Sequence, residues 1–237
     1  MSVMKDSEKS VYVRRMFGRI AENYDLLNRL MTFGQDRKWR TEAISHLSPT
    51  SPGWYLDLGA GTGDIACEIA RDHPNAKIIA SDLTPEMVYV GKKRIDCNNM
   101  TWVIADAQHL PFARNAAEGV ISGYLLRNVP DVDTAVKEQM RVLRPGGSIV
   151  SLDTTPPPDN LFKPFIQFHL HRIIPFLGKI IAGDSEAYTY LPDSTEHFLS
   201  AECLAEKFQS AGFEGVHFVR RMFATMAIHW GRKPVEN

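Results

Sequence analysis

The chain has 237 residues, enough for one α/β domain with embellishments and a substantial core. Its 27 basic and 28 acidic residues nearly cancel, which argues against a nucleic-acid partner, and three scattered cysteines exclude a disulfide framework or a cysteine zinc site. The charged opening MSVMKDSEKSVYVRR lacks the apolar centre of a secretory signal and no apolar run is long enough to span a bilayer, so a cytoplasmic location is expected.

Residues 10–31 and 35–47 read as two helices, with Val13, Phe17, Ile20, Tyr24 and Leu27 on one face. LSPTSPG (47–53) is a loop. Short apolar runs then alternate with amphipathic segments: strand 53–57, helix 62–72, strand 76–81, helix 85–96 and strand 101–105. Strand 118–122, helix 131–143 and strand 147–153 complete the series, with RPGG (144–147) as a helix stop and turn. This alternation predicts a doubly wound, mostly parallel sheet with helices on both faces.

Residues 156–200 break the rhythm. Their stretch 161–183 holds no acid and many large apolar side chains, and Pro164 and Pro175 divide it into two short helices. Helix 201–211 follows, and the apolar runs 213–219 and 222–230 are close enough for an antiparallel hairpin at the sheet edge. The expected organisation is a single domain over 1–237. It has an N-terminal helical cap (1–50), a ligand-binding core (51–155), an insertion on the substrate side (156–200) and a C-terminal helix with hairpin (201–237).

In such a sheet a ligand sits beyond the carboxyl ends of the strands. The first strand ends at Asp57, and Gly59, Gly61 and Gly63 follow on alternate positions. A dinucleotide fingerprint would place glycine at the position of Asp64, so a pyrophosphate is disfavoured and a cation fits better. Asp82 ends the second strand, placed to accept both hydroxyls of a ribose. Asp106 follows the third, placed to accept from an exocyclic amine, with apolar neighbours for a base. Acids at three successive strand ends describe an adenosine with a positive centre and no phosphate, which is S-adenosylmethionine (SAM). No cluster of histidines and cysteines offers metal ligands.

The segments MFGRIAENYDLLNRLMTFGQDRKWR, LDLGAGTGD, LLRNVPDVDTAVKEQMRVLRPGG and YTYLPDSTEHF make the chain resemble the class I methyltransferases. More narrowly, it is similar to the C-methyltransferases of ubiquinone and menaquinone biosynthesis. The likeness covers nearly the whole chain, including the N-terminal and inserted segments. It implies a Rossmann-like fold and methylation of a ring carbon of a polyprenylated demethylmenaquinol or its benzoquinol counterpart. Residue by residue, it puts the cofactor on Thr62, Asp82 and the Asp106–Ala107 pair. A further family contact falls at Gly123, where some members have serine and glycine offers only backbone. Relatives often place glutamate at the position of Asp153.

A quinol hydroxyl has a pKa of about 10, so a site for ring methylation has to favour the phenolate. LLRN follows the fourth strand, where Arg127 is a fixed cation for the developing phenolate and Asn128 orients the ring oxygen. Tyr24, supported by Asp25 and Asn28, is expected beside the sulfonium or the acceptor, and it also matches the buried helical stripe. His169, His171 and His197 lie in or near the insertion, and none is singled out as a base. Residues 161–183 line a tunnel for a prenyl tail, rest on an anionic membrane at its inner face, or cover the sheet. A methyltransferase of another phenolic or natural-product acceptor, and a non-catalytic SAM-fold subunit, are the competing readings. Both a homodimer and a biosynthetic complex remain open.

Overall fold

The computed structural model describes residues 6–49, 52–157, 159, 161–181 and 185–235. Three helices come first, α1 (Asp6–Ile20), α2 (Tyr24–Met31) and α3 (Asp36–Leu47). The alternating core follows as β1 (Gly53–Leu58), α4 (Asp64–Asp72), β2 (Ala76–Asp82), α5 (Pro85–Arg94) and β3 (Met100–Ile104). It closes with β4 (Ala117–Gly123), α6 (Val132–Val142) and β5 (Leu143–Thr154). The inserted region carries α7 (Lys163–Phe168), a π-helical segment (His169–Ile173), α8 (Ile174–Ile181) and α9 (Ser185–Glu196). The chain ends with α10 (Ala201–Ser210), β6 (Glu214–Arg221) and β7 (Met226–Arg232).

The seven strands lie in the order β3-β2-β1-β4-β5-β7-β6, the first five parallel and β7 antiparallel to both its neighbours. The doubly wound sheet with its edge hairpin is therefore present. The order reverses between β1 and β4, so the carboxyl ends of those strands frame the ligand crevice. One apolar layer, with Ile69, Ile78, Ile121 and Ile228, covers one face; another, with Leu58, Val120, Ile149 and Phe208, covers the other. A third cluster joins Met16, Ile20, Leu27 and Met31 of the N-terminal helices to Ile166, Leu170, Ile174 and Tyr188 of the inserted region.

Three local expectations are corrected. The helix expected over 10–31 is broken at 21–23, with no proline or glycine at the break. RPGG does not end in a simple turn. Leu143 already pairs with Ala117, the register shifts before Gly119 pairs with Ser148, and Gly146 takes φ +77°. Gly147 is required there, because a Cβ would lie 2.9 Å from the Glu118 carbonyl oxygen. Pro175 does not separate two helices. The π-helical segment widens the turn before it, and the chain stays helical from Lys163 to Ile181. A wider turn accommodates a residue that has no N–H and crowds the preceding carbonyls. Residues 182 and 183 of that stretch lie outside the described residues. No helix among the described residues is long and apolar enough to cross a membrane.

Candidate active site

β1 turns into α4 through Gly59, Gly61 and Gly63, whose φ angles are +64°, +57° and +88°. Conformation and space both demand glycine at Gly59, where a Cβ would lie 2.8 Å from Leu125 Cδ1. Asp82, at the end of the neighbouring strand, fixes the turn. Its Oδ2 accepts the Gly61 N–H and its Oδ1 accepts the Thr84 N–H, each at 2.8 Å. Burial pushes this carboxyl above its ordinary range, with the same N–H groups pulling it back. The Thr84 hydroxyl and the Leu83 N–H also hold it down.

Gly59, Gly61, Asp82, Asp106, Ala107 and Gly123 line one cavity. Val13, Arg14 and Phe17 of α1 also line it, as does Tyr24 of α2. Tyr24 lies against the glycine turn: a Cβ on Gly61 would meet its Cε1 at 3.5 Å. Burial raises the Tyr24 hydroxyl's pKa, and a hydrogen bond with Asn28 opposes the rise. A serine Cβ at Gly123 would fall 2.7 Å from Ile65 Cδ1, so the end of that side chain would have to move aside. Asp106 Oδ1 accepts the Gln108 N–H at 2.9 Å, so this acid shapes its own turn while lining the cavity.

Asp57 and Thr62, expected against the ligand, do not line this cavity. Asp57 is buried and its Oδ2 accepts the Ala66 N–H in the first turn of α4 at 3.0 Å. Thr62 Oγ1 donates to Asp25 Oδ1 at 2.7 Å. Both therefore organise the turn.

Burial pushes the Asp57 carboxyl to about 7, against the pull of the Ala66 N–H, and the Asp82 carboxylate adds to the rise. The folded chain thus holds a proton that the unfolded chain releases near 3.8, so this contribution to stability is complete below that value and lost as pH rises through about 7. Asp57→Asn keeps an acceptor for Ala66 and removes the titration. Its melting temperature is expected to gain on the parent's steadily as pH rises across this window; a pH-independent difference would refute the assignment.

A second cavity, about 340 Å³, is walled by apolar side chains such as Met31, Ile166, Leu170, Ile174 and Met226. Tyr124 lines both cavities and is their shared wall. It carries φ +60°, a left-handed conformation unusual for a tyrosine. The hairpin tip that reaches the second cavity also has Met222, Phe223 and Ala224 at positive φ.

Arg127 faces the second cavity. Its Nη1 pairs with Asp153 Oδ1 at 3.0 Å, its N–H donates to Asp153 Oδ2 at 3.2 Å, and its guanidinium lies 5.2 Å from the Tyr124 ring centroid. Asp153 is buried at the end of β5; burial raises its carboxyl and Arg127 opposes the rise. Lys9 of α1 donates to the carbonyls of Arg127 and Val129, tying the LLRN turn to the N-terminal helix. Asn128 lines the first cavity instead, and its amide is engaged by protein at both ends. Nδ2 donates to the Tyr124 carbonyl at 2.8 Å and Oδ1 accepts from the Tyr190 hydroxyl at 3.2 Å.

Residues 3–233 match the model of the ubiE/COQ5 methyltransferase family. The chain belongs to the ubiE/COQ5 methyltransferase family. It is 47% identical over 221 residues to the ubiquinone/menaquinone biosynthesis C-methyltransferase UbiE of Desulfotalea psychrophila, covering 93% of this chain and 90% of that one. It is 38% identical to the demethylmenaquinone methyltransferase of Thermus thermophilus, covering 92% of this chain and all of that one. Among solved structures, a SAM-dependent methyltransferase from Thermotoga maritima superposes with a TM-score of 0.65 at 18% identity, covering 92% and 99% of the two chains. That likeness establishes the class I methyltransferase fold.

In this ubiE/COQ5 methyltransferase, ion pairs hold the N-terminal helices on the glycine turn. Arg40 of α3 bridges buried Asp36 to Asp64 at the start of α4, and Arg94 of α5 joins Asp64 to Asp25 of α2. His169 Nε2 lies 3.0 Å from the Met31 carbonyl, linking the inserted region to α2. Among the described residues, no group of three or more histidine, cysteine, aspartate or glutamate side chains is placed to hold a metal ion. The sequence reading missed Tyr124 and the Arg127–Asp153 pair. Their signals were a large residue just beyond the β4 glycine and an acid at the end of the next strand, and neither reveals a contact by itself.

Proposed function

We propose that the chain transfers a methyl group from SAM to a ring carbon of a polyprenylated quinol in menaquinone or ubiquinone biosynthesis. One observation carries this reading: a cavity with acids at its strand ends and an apolar cavity meet at Tyr124, with Arg127 on the apolar side. The relatives' names, one a C-methyltransferase of ubiquinone/menaquinone biosynthesis and the other a demethylmenaquinone methyltransferase, supply the acceptor class.

The residues fit the donor. Asp82 is a half-buried carboxylate on the cavity wall that accepts from the ribose hydroxyls, and Asp106 with Ala107 receives the base. Gly59, Gly61 and Gly123 present bare backbone on the cavity wall, while Asp57 and Thr62 support the turn from behind. Bound there, SAM supplies an activated methyl group. The chain's own part is positioning and charge. Arg127 stabilises the phenolate oxygen of the acceptor; Asp153 fixes the guanidinium's orientation. Tyr24 packs between the glycine turn and α1, and Asn128 holds Tyr190 and the Tyr124 backbone rather than the ring oxygen.

The apolar cavity takes the prenyl tail. Phe165 and Phe168 line it and are 75% and 60% exposed, so they also present an apolar face outward. Lys163, Arg172 and Lys179 flank that face and favour weak contact with anionic lipid. Replacing Phe165, Phe168 and Ile173 by serine is expected to raise KM for a tailed quinol far more than for a tail-less one. The same change is expected to abolish salt-sensitive co-sedimentation with anionic liposomes. Equal losses on both substrates would show that these residues only cover the sheet.

The deciding experiment is incubation with labelled SAM and reduced naphtho- and benzoquinols of different tail lengths, read by mass spectrometry of the lipid product. Label on a small phenol but on no prenylated quinol would overturn the acceptor assignment.

A further inference from the structure

The apolar cavity has a polar end whose hydrogen-bonding groups are unspent. Three buried side-chain atoms on its lining have no partner among the described residues: Tyr124 Oη, Arg127 Nε and Thr154 Oγ1. They come from two neighbouring strand ends: Tyr124 and Arg127 follow β4, and Thr154 ends β5. Tyr124 and β5 are joined directly, since the Tyr124 N–H donates to the Leu152 carbonyl at 2.7 Å.

Buried polar atoms are nearly always paired, because an unmet donor in an apolar surrounding forfeits its hydration without return. Three such atoms on one otherwise greasy wall invite an acceptor from a ligand. All three can donate: one N–H bond from Arg127, and one hydroxyl proton each from Tyr124 and Thr154. Burial lifts the Tyr124 phenol above its ordinary value, which keeps it protonated as a donor. Asp153 already occupies Arg127 Nη1, leaving Nε for another acceptor.

We infer that Tyr124 and Thr154, together with Arg127, recognise the two ring oxygens of the acceptor and so make the site specific for a 1,4-dioxygenated aromatic ring. This rests on the quinol reading above and deepens it by naming the residues that select the acceptor's head. An acceptor with one ring oxygen leaves part of the donor set unmet and is rejected for that reason. Tyr124, as the wall common to both cavities, also sets where the ring stops relative to the methyl donor.

The test is a ligand–variant cycle on the full chain. Binding of tail-less 1,4-naphthoquinol and of 1-naphthol is measured anaerobically by calorimetry for the parent, Tyr124→Phe and Thr154→Val. Both substitutions remove a hydroxyl with little change in shape, and donor affinity with melting temperature confirms that each variant is folded. The parent is expected to prefer the quinol by about tenfold or more, and at least one variant to lose most of that preference. KM for a tailed quinol is expected to rise in the same variant. An undiminished preference in both folded variants, with unchanged KM, overturns the assignment of these residues while leaving quinol methylation standing. A parent that binds neither compound and methylates no quinol overturns the acceptor reading itself, and this inference with it.

Discussion

Replacing Arg127 by alanine is expected to lower kcat by roughly two to three orders of magnitude while SAM affinity stays near the parent's, as for loss of one oxyanion-stabilising donor. The basis is placement. Arg127 lines the apolar cavity and is not among the residues lining the cavity that holds Asp82 and Asp106. The substitution also strips Asp153 of its cation, and an unpaired buried charge typically costs about 3–5 kcal/mol. That cost has a pH signature. Burial already raises the Asp153 carboxyl and Arg127 holds it down. Without the arginine its folded pKa climbs further above the unfolded value, so stability is greatest at low pH and is lost as pH rises through the new value. Arg127→Met combined with Asp153→Asn removes both charges and is expected to restore much of the melting temperature without restoring turnover. Recovery of both would show that the arginine is structural. A parallel fall in SAM affinity and turnover would make it a donor contact.

Asp82→Ala is expected to weaken SAM binding by about 2–4 kcal/mol, which is roughly thirtyfold to nearly a thousandfold in affinity. Two losses combine. The charged acceptor proposed for the ribose hydroxyls disappears, and so do the bonds at 2.8 Å that hold the Gly61 and Thr84 N–H groups. Asp82→Asn separates them, since an amide oxygen still accepts from one N–H but its nitrogen faces the other as a second donor. Calorimetry should rank the parent tightest, asparagine intermediate and alanine weakest. Unchanged affinity in the alanine variant would remove Asp82 from the ligand and leave it as a loop clamp alone.

The relation between Asp82 and Asp57 shows why some of the site was legible and some was not. Both acids end a parallel strand beside the same glycine turn, and the sequence reading treated them alike. The structure separates them. Asp82 lines the cavity, whereas Asp57 is buried behind the turn on the Ala66 N–H. Position along a strand says how near a residue is to the crevice. Its direction depends on the twist of the sheet and on the helix packed against it. Asn128 gives the same lesson, for its amide is drawn to Tyr190, 62 residues away.

The sequence by itself determined the alternating core, the edge hairpin, the three glycines with positive φ and the acids at three strand ends. These follow from hydrophobic period, turn chemistry and backbone sterics, all of which act over a few residues. Only the tertiary structure decided that α1 and α2 break apart and that a π-helical turn carries the chain past Pro175. The same holds for the Arg127–Asp153 pair, 26 residues apart, and for Tyr124 as the wall between two cavities. The physical reason is common to these features. Each depends on volume, burial or charge supplied by a distant segment, and a buried guanidinium or an unspent phenol has no local signature until that segment closes over it.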